Sequence, residues 1–311
     1  MTTNLETPLD HRPRATFSRR TTLFALSGLI ACSIGAGTIS SNANASTKLH
    51  SGSVNVLYAG SLLDLMQQQI GPAFHKATGY SVNGVSAGSS ALATEIKGGT
   101  QVGDVFISAS PSADASLMGA ANGNWVTTFR LFGRSPLVLG YNPSSSFAKA
   151  LRTRPWYDVV TASGFLLGRT DPATDPKGVL AVDALTGVAL SYNVPQLATL
   201  AASTSNVFAE TSLIGELQAG QLDAGFFYSV EAKAANLSTV PLVGTGLYAK
   251  YTVAQLNRAP HLAAARAFIS FLLSAEGRKI LSANGVSPIV PAQSFNISTI
   301  PATTTTTAPA G

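Results

Sequence analysis

The sequence predicts an α/β protein in which a parallel sheet carries helices on its faces. Short β-branched runs alternate with helix-like segments between Val54 and Ser108, in the order strand, helix, strand, helix, strand. This order is typical of parallel sheets. The 311-residue chain is 45% hydrophobic and only 11% charged, so it can bury a core large enough for one large domain or two ordinary ones.

The first predicted elements, in chain order, are strand Val54–Tyr58, helix Leu62–Ala77, strand Tyr80–Val85, helix Ser90–Lys97 and strand Val105–Ser108. Gly79 and the pair Gly98-Gly99 end the two helices, because glycine readily adopts the left-handed conformation found after a last helical turn. Gly71-Pro72 is expected to interrupt the first helix, since proline has no N–H to donate.

The later elements follow the same logic of periodicity and turn residues. The predicted strands are Leu137–Tyr141, Phe165–Gly168, Ala224–Tyr228 and Tyr248–Val253, and the predicted helices are Val179–Leu185, Leu213–Gln218, Val230–Ala235, Ala263–Leu273 and Arg278–Ala283. Residues 297–311 are expected to form a disordered tail, because Thr303–Thr307 is a low-complexity run.

Residues 1–45 have the pattern of an export signal. Ser18-Arg19-Arg20 precedes a short apolar stretch, which indicates the twin-arginine route. Two forms of processing stay open. Ala43-Asn44-Ala45 fits a cleavage site before Ser46, whereas Leu29–Cys32 fits a lipoprotein box, with a signal over 1–31, a lipid on Cys32 and a tether over 32–53. Cys32 is the only cysteine, so the chain forms no internal disulfide.

Charge and motif patterns exclude several classes of function. The net charge of +5 is small and partly owed to four arginines in the first 20 residues, so the sequence does not predict a nucleic-acid partner. The chain has no zinc-ligand spacing, no phosphate loop ending in Gly-Lys-Ser/Thr and no dinucleotide fingerprint. The sequence therefore predicts neither a cofactor nor a free metal cation.

Two Gly-Ser turns stand where a predicted strand meets a predicted helix. They are Ala59-Gly60-Ser61 and Ala87-Gly88-Ser89. A single serine at a helix start is ordinarily an N-cap. Two such turns after neighbouring parallel strands converge on one cleft, where backbone N–H groups and hydroxyls can bind an anion. A site of neutral donors holds a fully deprotonated oxyanion well.

Three further features are relevant to function. Gly84–Gly88 matches the nucleophile pattern G-x-S-x-G around Ser86, which would make a serine hydrolase, but His261 is the only histidine after His75. The polar stretch Arg169–Gly178 follows an apolar strand and is expected to contact a ligand, although two Asp-Pro turns would also explain it. Tyr228 ends a predicted strand, where its hydroxyl can face a cleft.

The sequence resembles the solute-binding proteins of bacterial and archaeal ABC importers, closest to the molybdate- and tungstate-binding group. The resemblance covers Val54–Ala292. It rests on the following motifs in order: Ala59–Leu62, Ile70–Phe74, Ala87–Ser89, Gly103–Val105 with Ser108-Ala109, Arg169–Gly178, and Glu210–Tyr228. It implies a two-lobe periplasmic-binding-protein fold, type II-like, with two chain crossovers and an oxyanion held between the lobes.

The resemblance also implies lobe boundaries. Lobe 1 would comprise 54–128 and 250–296 and lobe 2 would comprise 132–246, with crossovers near Thr127–Leu137 and Leu247–Val253. The protein would be a monomeric, non-catalytic, extracytoplasmic receptor that passes molybdate or tungstate to an ABC permease.

The ligand residues implied by the resemblance are Ser61, Ser89, Asp175 and Tyr228. In archaeal members a glutamate just before the tyrosine joins the Asp-Pro aspartate in an expanded, octahedral shell around the metal of the anion. Phe227 occupies that position here, so the resemblance implies a four-coordinate anion, with Asp175 orienting its loop. A receptor for another oxyanion such as sulfate is the alternative within binding proteins, and a secreted serine hydrolase using Ser86 is the alternative from another class.

Overall fold

The computed structural model describes residues 50–300. The strands in this part are β1 (Ser53–Ala59), β2 (Ser81–Ala87), β3 (Val105–Ser108), β4 (Thr128–Tyr141), β5 (Leu167–Thr170), β6 (Val207–Phe208), β7 (Ala224–Tyr228), β8 (Ser238–Pro241), β9 (Tyr248–Gln255) and β10 (Ser287–Asn296). The predicted export signal and Cys32 lie outside the described residues, and the predicted tail is described only as far as Ile300.

The α-helices of the same part are α1 (Gly71–Thr78), α2 (Ser89–Gly98), α3 (Pro111–Ala115), α4 (Ala148–Thr153), α5 (Trp156–Val159), α6 (Pro176–Ser191), α7 (Gln196–Ala202), α8 (Leu213–Gln218), α9 (Ser229–Ala234), α10 (Leu262–Leu272) and α11 (Ala275–Ala283). No helix between residues 50 and 300 is long and apolar enough to cross a membrane.

The first sheet contains β2, β1, β3, β9 and β10 with the first half of β4. As predicted, β1 pairs in parallel with both β2 and β3, so that Val56 lies opposite Gly84 on one side and Val105 on the other. The sheet is not purely parallel, however. Strand β9 pairs antiparallel with β3 and β4, and β10 pairs antiparallel with β4. The prediction missed this because β9 and β10 return to the sheet from far along the chain.

The second sheet contains β7, β5, β6 and β8 with the last residues of β4. Strand β7 pairs in parallel with β5 and antiparallel with β4. All five residues of β7 are buried, as expected for a strand covered on both faces. Strand β8 pairs antiparallel with the other edge of β4, and β6 pairs in parallel with β5 over two residues.

Strand β4 belongs to both sheets. Its residues from Phe129 to Pro136 pair with β9, and those from Leu137 onward pair with β7. The N–H of Leu137 also donates to the carbonyl of Leu247, just before β9 begins, at 2.9 Å. The sequence predicted only the last five residues of this strand, because Arg130 and Arg134 interrupt the apolar run. Both arginines lie on the exposed face of the strand.

The helical stretch after β1 runs through Gly71-Pro72 without a break, whereas the sequence predicted an interruption there. Gly60–Leu62 forms a short 3₁₀ turn, Leu65–Ile70 forms a π-helix, and α1 begins directly at Gly71. Pro72 lies in the first turn of α1, where a backbone N–H has no partner within the helix and its loss is harmless. The expected interruption is therefore a change of helix type.

The largest hydrophobic core packs against both sheets. Val54, Val105, Leu139 and Phe226 are completely buried in it. A second cluster lies around α2 and the other face of β3, and a third, smaller cluster gathers Leu213, Leu217, Leu222, Phe227 and Ala232 on the second sheet. The carboxyl ends of β1 and β2 face the first turns of helices that pack beside the second sheet. Polar residues from these strand ends and helix starts are therefore buried together.

Candidate functional site

Ser61 is buried in the turn that follows β1. Its hydroxyl does not cap the helical turn in which it stands. Instead, the Oγ of Ser61 lies 2.8 Å from the Oη of Tyr251 on β9, and either atom can be the donor. When Tyr251 donates, the hydroxyl proton of Ser61 is available for a ligand.

Ser89 is the first residue of α2 and is completely buried. Its Oγ accepts a hydrogen bond from the N–H of Ala109, just after β3, at 3.0 Å. This bond fixes the start of α2 against the neighbouring strand and leaves the hydroxyl proton of Ser89 available. The ordinary N-cap explanation therefore holds for neither serine of the two Gly-Ser turns.

Asp175 lies at the start of α6 and is 3% exposed. Its Oδ1 accepts from the N–H of Lys177 at 3.2 Å, which caps the helix, while Oδ2 has no hydrogen-bond partner among the described residues. Burial raises the pKa of Asp175, and the nearby ammonium group of Lys177 acts against this rise. The expectation that Asp175 orients its loop agrees with the cap.

Tyr228 is the last residue of β7, and its ring is buried. Its Oη has no partner among residues 50–300. Burial raises the pKa of this phenol well above its ordinary value, and the negative charge of Asp175 adds to the effect. A buried hydroxyl with no partner ordinarily costs free energy, so it indicates a position at which a ligand can accept its proton.

Contacts between the two sheets bring these four residues to one place. The N–H of Ala91 on α2 donates to the carbonyl of Thr174 at 3.0 Å, which puts the helix of Ser89 against Asp175. The rings of Tyr228 and Tyr251 meet edge to face with centroids 6.2 Å apart, and Tyr251 in turn contacts Ser61. Each Gly-Ser turn is thus joined to a residue of the second sheet's side, and the binding of one anion by both turns stays a prediction.

The sequence did not predict a charged cluster beside this site. Lys177 is completely buried, and its Nζ lies 2.7 and 2.8 Å from the two carboxylate oxygens of Glu231 and 3.3 Å from Oε1 of Glu210. Burial alone would lower the pKa of Lys177, but the charges of Glu231, Glu210 and Asp175 together raise it. Burial raises the pKa of Glu210 to about 8. The charge of Lys177 acts against this rise, and the charges of Glu231 and Asp175 add to it.

Phe227 does not decide whether a second carboxylate reaches the site. It packs in the small cluster with Leu213 and Leu217, on the opposite face of β7 from Tyr228, and its ring centroid is 5.5 Å from the Nζ of Lys177. A second carboxyl group nevertheless arrives from another segment, because Glu210 lies directly against Gly60. Phe227 alone therefore does not exclude a second carboxyl group, and the four-coordinate anion stays a prediction.

Arg169, the first residue of the Arg169–Gly178 stretch, has a structural role. The guanidinium of Arg169 is buried and donates to the carbonyls of Ala201 and Ser203, at 3.3 and 2.6 Å. These bonds fasten the end of β5 to the end of α7. Further along the stretch, Thr170 and Asp175 each keep a buried oxygen without a partner among the described residues, and the predicted ligand contact stays a prediction.

The serine hydrolase alternative finds no support in the geometry. Ser86 lies opposite Tyr58, near the carboxyl end of β1. His261 donates its backbone N–H to Asp104 at 2.6 Å, and its Nδ1 lies 3.0 Å from the same carboxylate, at the amino end of β3. Ser86 and His261 thus belong to opposite ends of the first sheet.

Comparison with known proteins gives the family. A family model for bacterial extracellular solute-binding proteins matches residues 54–287. The chain belongs to this family. Its members are transport receptors that act outside the cytoplasm and do not form an enzyme class.

Curated relatives carry related names. An uncharacterized solute-binding protein of Halobacterium salinarum is 30% identical over 216 residues, 68% of this chain and 67% of the relative. The molybdate/tungstate-binding protein WtpA of Pyrococcus abyssi is 25% identical over 55% of this chain and 65% of its own length. The chain thus spans about two thirds of these two relatives. The molybdate-binding protein ModA of Mycobacterium tuberculosis is 27% identical over 83% of this chain and 95% of its own length.

Solved structures show the same fold. The periplasmic molybdate-binding protein of Azotobacter vinelandii has a TM-score of 0.58 at 19% identity and covers 75% of this chain and 98% of its own. The sulfate-binding protein SubI of Mycobacterium tuberculosis has a TM-score of 0.61 at 16% identity and covers 78% and 88%. The predicted α/β fold of the two-lobe periplasmic binding proteins is confirmed.

Proposed function

We propose that this protein is an extracytoplasmic receptor that captures a tetrahedral oxyanion, molybdate or tungstate, and delivers it to the permease of an ABC importer. The observation that carries the proposal is the buried site in which two Gly-Ser turns of the first sheet meet Asp175 and Tyr228 of the second. The names of the relatives from Pyrococcus abyssi and Mycobacterium tuberculosis support the choice of anion.

Three hydroxyl groups can donate to the anion. Ser61 and Ser89 each accept one hydrogen bond from the protein, or can do so, and each keeps a proton to donate. Tyr228 offers the third proton. Each such donor to a buried charged acceptor contributes about 1.5–3 kcal/mol. Three of them suit a small anion of full charge.

Two carboxyl groups beside the site, those of Asp175 and Glu210, set a condition on binding. A dianion repels ionised carboxylates, and burial already raises the pKa of both Asp175 and Glu210. The arriving charge raises these pKa values further, so the protonated forms are favoured when the anion is bound. A protonated carboxyl group donates an O–H, and thus the acids become compatible with a dianion.

The proposal includes a division into two lobes, 54–128 with 250–296 and 132–246, joined near Thr127–Leu137 and Leu247–Val253. The passage of β4 from the first sheet to the second supports the first crossover. The bond from Leu137 to Leu247 supports the second, because it joins the two crossing segments. Each lobe then contributes two of the four ligand residues.

Export and anchoring complete the proposal. The signal over 1–45 would place the protein outside the cytoplasmic membrane, and Cys32 would carry a lipid if the lipoprotein box is used. Fractionation of cells that express wild type or Cys32→Ser tests this point. Loss of the variant from the membrane fraction indicates lipidation, and an unchanged soluble protein indicates cleavage before Ser46.

Calorimetric titration of the purified protein with molybdate, tungstate, sulfate and phosphate tests the function. We expect one-to-one binding of molybdate and tungstate by a monomer, with phosphate much weaker. If sulfate binds more tightly than molybdate and tungstate, the sulfate alternative replaces the proposal. A sulfate-binding protein is among the solved structures with a similar fold. Absence of heat with all four anions would overturn the proposal.

A further inference from the structure

Gly60 leaves a space that a residue of the second sheet fills. A Cβ atom placed on Gly60 would overlap the carboxyl group of Glu210, which lies in the segment between β6 and α8. Glu210 cannot simply turn away, because it is buried and its Oε1 is 3.3 Å from the Nζ of Lys177. The absence of a side chain at position 60 thus permits a contact between the two sides of the cleft.

Gly88 leaves a similar space at the other Gly-Ser turn. A Cβ atom placed on Gly88 would overlap the carbonyl oxygen of Thr174 and come within 3.1 Å of the Cβ of Asp175. This obstacle is backbone, which cannot rotate aside, and it is fixed by the hydrogen bond from Ala91. In both Gly-Ser turns, the glycine just before the serine is therefore in close contact with a segment from the second sheet's side of the cleft.

Backbone conformation does not explain the two glycines. Gly88 has φ −57° and ψ 135°, a conformation that alanine adopts readily, and Gly60 does not have a left-handed φ either. Ten other glycines of the described chain do have a positive φ. The close approach of the opposite side is therefore the reason why these two positions lack a side chain.

We propose that Gly60 and Gly88 are positioning residues for the captured anion, because they set how closely the donors of the two sheets approach each other. The proposal rests on the proposed function. Ser61 and Ser89 stand on one side, and Asp175 and Tyr228 stand on the other. A methyl group at either glycine would hold the sides apart and lengthen the bonds to the anion without removing a donor.

The test combines calorimetric titration with molybdate and small-angle scattering. We expect Gly60→Ala and Gly88→Ala each to weaken molybdate binding about tenfold or more, the range expected for overpacking a close contact. Scattering should show that the molybdate-bound variants have a larger radius of gyration than bound wild type. Gly98→Ala and Gly215→Ala are the matched controls, since a Cβ at either position would meet no atom within 4 Å apart from its chain neighbours and the backbone of its own helix. Both variants should bind like wild type.

A double-mutant cycle separates this effect from general damage. In a Glu210→Ala background the overlap is gone, so Gly60→Ala should weaken binding less than threefold relative to Glu210→Ala alone. In a Glu210→Gln background, which keeps the size of the side chain, the full loss should remain. If Gly60→Ala does not fold, the double variant Gly60→Ala/Glu210→Ala should fold, because the overlap is removed. The effect on binding is then measured with Gly88→Ala.

The possible failures can be distinguished. If wild type gives no heat with molybdate, the proposed function fails. If wild type binds and Gly60→Ala and Gly88→Ala bind with equal affinity and equal compactness, the positioning role is overturned. A loss in Gly60→Ala that persists at full size in the Glu210→Ala background would overturn the assigned contact.

Discussion

Lys177 shows how much of the site depends on single residues that the sequence does not mark. Its ammonium is completely buried between Glu231 and Glu210, and Asp175 lies beside it. Taking such charges out of water costs several kcal/mol per ion, which only good geometry and extra hydrogen bonds offset. Glu231 supplies both, because its Oε1 also accepts the N–H of Tyr228 at 2.7 Å. The pair thereby fixes the end of β7, where the candidate ligand residue stands.

The two serines give the first prediction. Ser61→Ala and Ser89→Ala each remove one donor to a buried anion, a loss of about 1.5–3 kcal/mol or tenfold and more in affinity. Calorimetric titration with molybdate measures the loss. Ser282→Ala, at an exposed serine of α11, is the control and should bind like wild type. Wild-type affinity in both buried-serine variants would contradict the site.

Asp114 gives a prediction about pH. Burial raises the pKa of this carboxyl group from 3.8 to about 8, although its Oδ2 accepts from the hydroxyl of Thr252. Between these two values the folded state holds a proton that the unfolded chain has lost. The contribution of Asp114 to stability is therefore complete below pH 4 and is lost as the pH rises through 8, by at most about 1.4 kcal/mol per pH unit.

Denaturation in urea at pH values from 5 to 9 measures this dependence. Asp114→Asn keeps the shape of the side chain and cannot ionise, so its free energy of unfolding should fall less with pH than that of wild type. Parallel curves for the two proteins would show that Asp114 does not hold a proton in the folded state.

The sequence predicts four ligand residues, whose role stays a prediction, but it does not reveal their charged neighbours. Ser61, Ser89, Asp175 and Tyr228 stand at ends of strands or starts of helices, which local patterns reveal. Glu210 and Glu231 meet Lys177 across 33 and 54 residues of sequence, and no local pattern encodes such pairs. One indirect signal exists: charged residues are rare in this chain, and in proteins generally such residues are seldom fully buried unless they are paired.

At the scale of elements, α6 joins a local helix signal to the site. It begins with Asp175 as N-cap and Pro176 in its first turn, a combination that pre-organises a helix start. The sequence predicted this helix only from Val179, because the Asp-Pro turns read as a loop. By contrast, β3, β7 and α8 were predicted with their observed bounds, since glycine or polar residues flank compact apolar runs.

The cap of α6 gives a prediction about stability. Asp175→Ala should lower the free energy of unfolding by about 1 kcal/mol, whereas Asp175→Asn keeps an oxygen that can accept from Lys177 and should lower it less. Urea denaturation without added anion measures both. Ser274→Ala removes the N-cap of α11, far from the site, and calibrates the cost of a cap alone. Equal losses in the two Asp175 variants would show that the cap is not the cause.

The strands that the sequence missed depend on distant partners, whereas the missed helices α3, α4, α5 and α7 are short, with four to seven residues each. Strand β8 pairs with the end of β4, and β10 pairs with its beginning. The run Ser287–Asn296 contains two prolines, which argue against a strand, yet it lies at an edge where a missing N–H is tolerated. Local propensity could not reveal a strand whose stability comes from its neighbour.

At the scale of the whole molecule, β4 makes the two sheets mechanically continuous. It is 14 residues long, and its core-facing residues are buried along both halves. Unfolding one sheet removes the partner of half of β4, and the large hydrophobic core also contacts both sheets. We therefore expect the described part of the chain to unfold in one cooperative transition.

The two tryptophans make this prediction measurable. Trp125 lies in the loop before β4, where Arg258 stacks on it, and Trp156 is buried near the second sheet, where it donates to the carbonyl of Val243 at 3.1 Å. Trp125→Phe and Trp156→Phe each leave one fluorescent reporter. In each variant the fluorescence midpoint in urea should equal the midpoint from far-ultraviolet circular dichroism. A gap between the two midpoints in either variant would show that the sheets unfold separately.

The shared strand also has a consequence for biosynthesis. A ribosome completes β1, β2 and β3 early, but β3 pairs along its whole length with β9, and every strand of the second sheet is synthesised between them. Until β9 emerges, β3 is an unprotected edge with apolar faces, the kind of surface that aggregates or recruits chaperones. Contacts so distant in sequence form slowly. The nascent protein is therefore committed to a late folding step, and a chain that stops before residue 248 leaves its first sheet without a central strand.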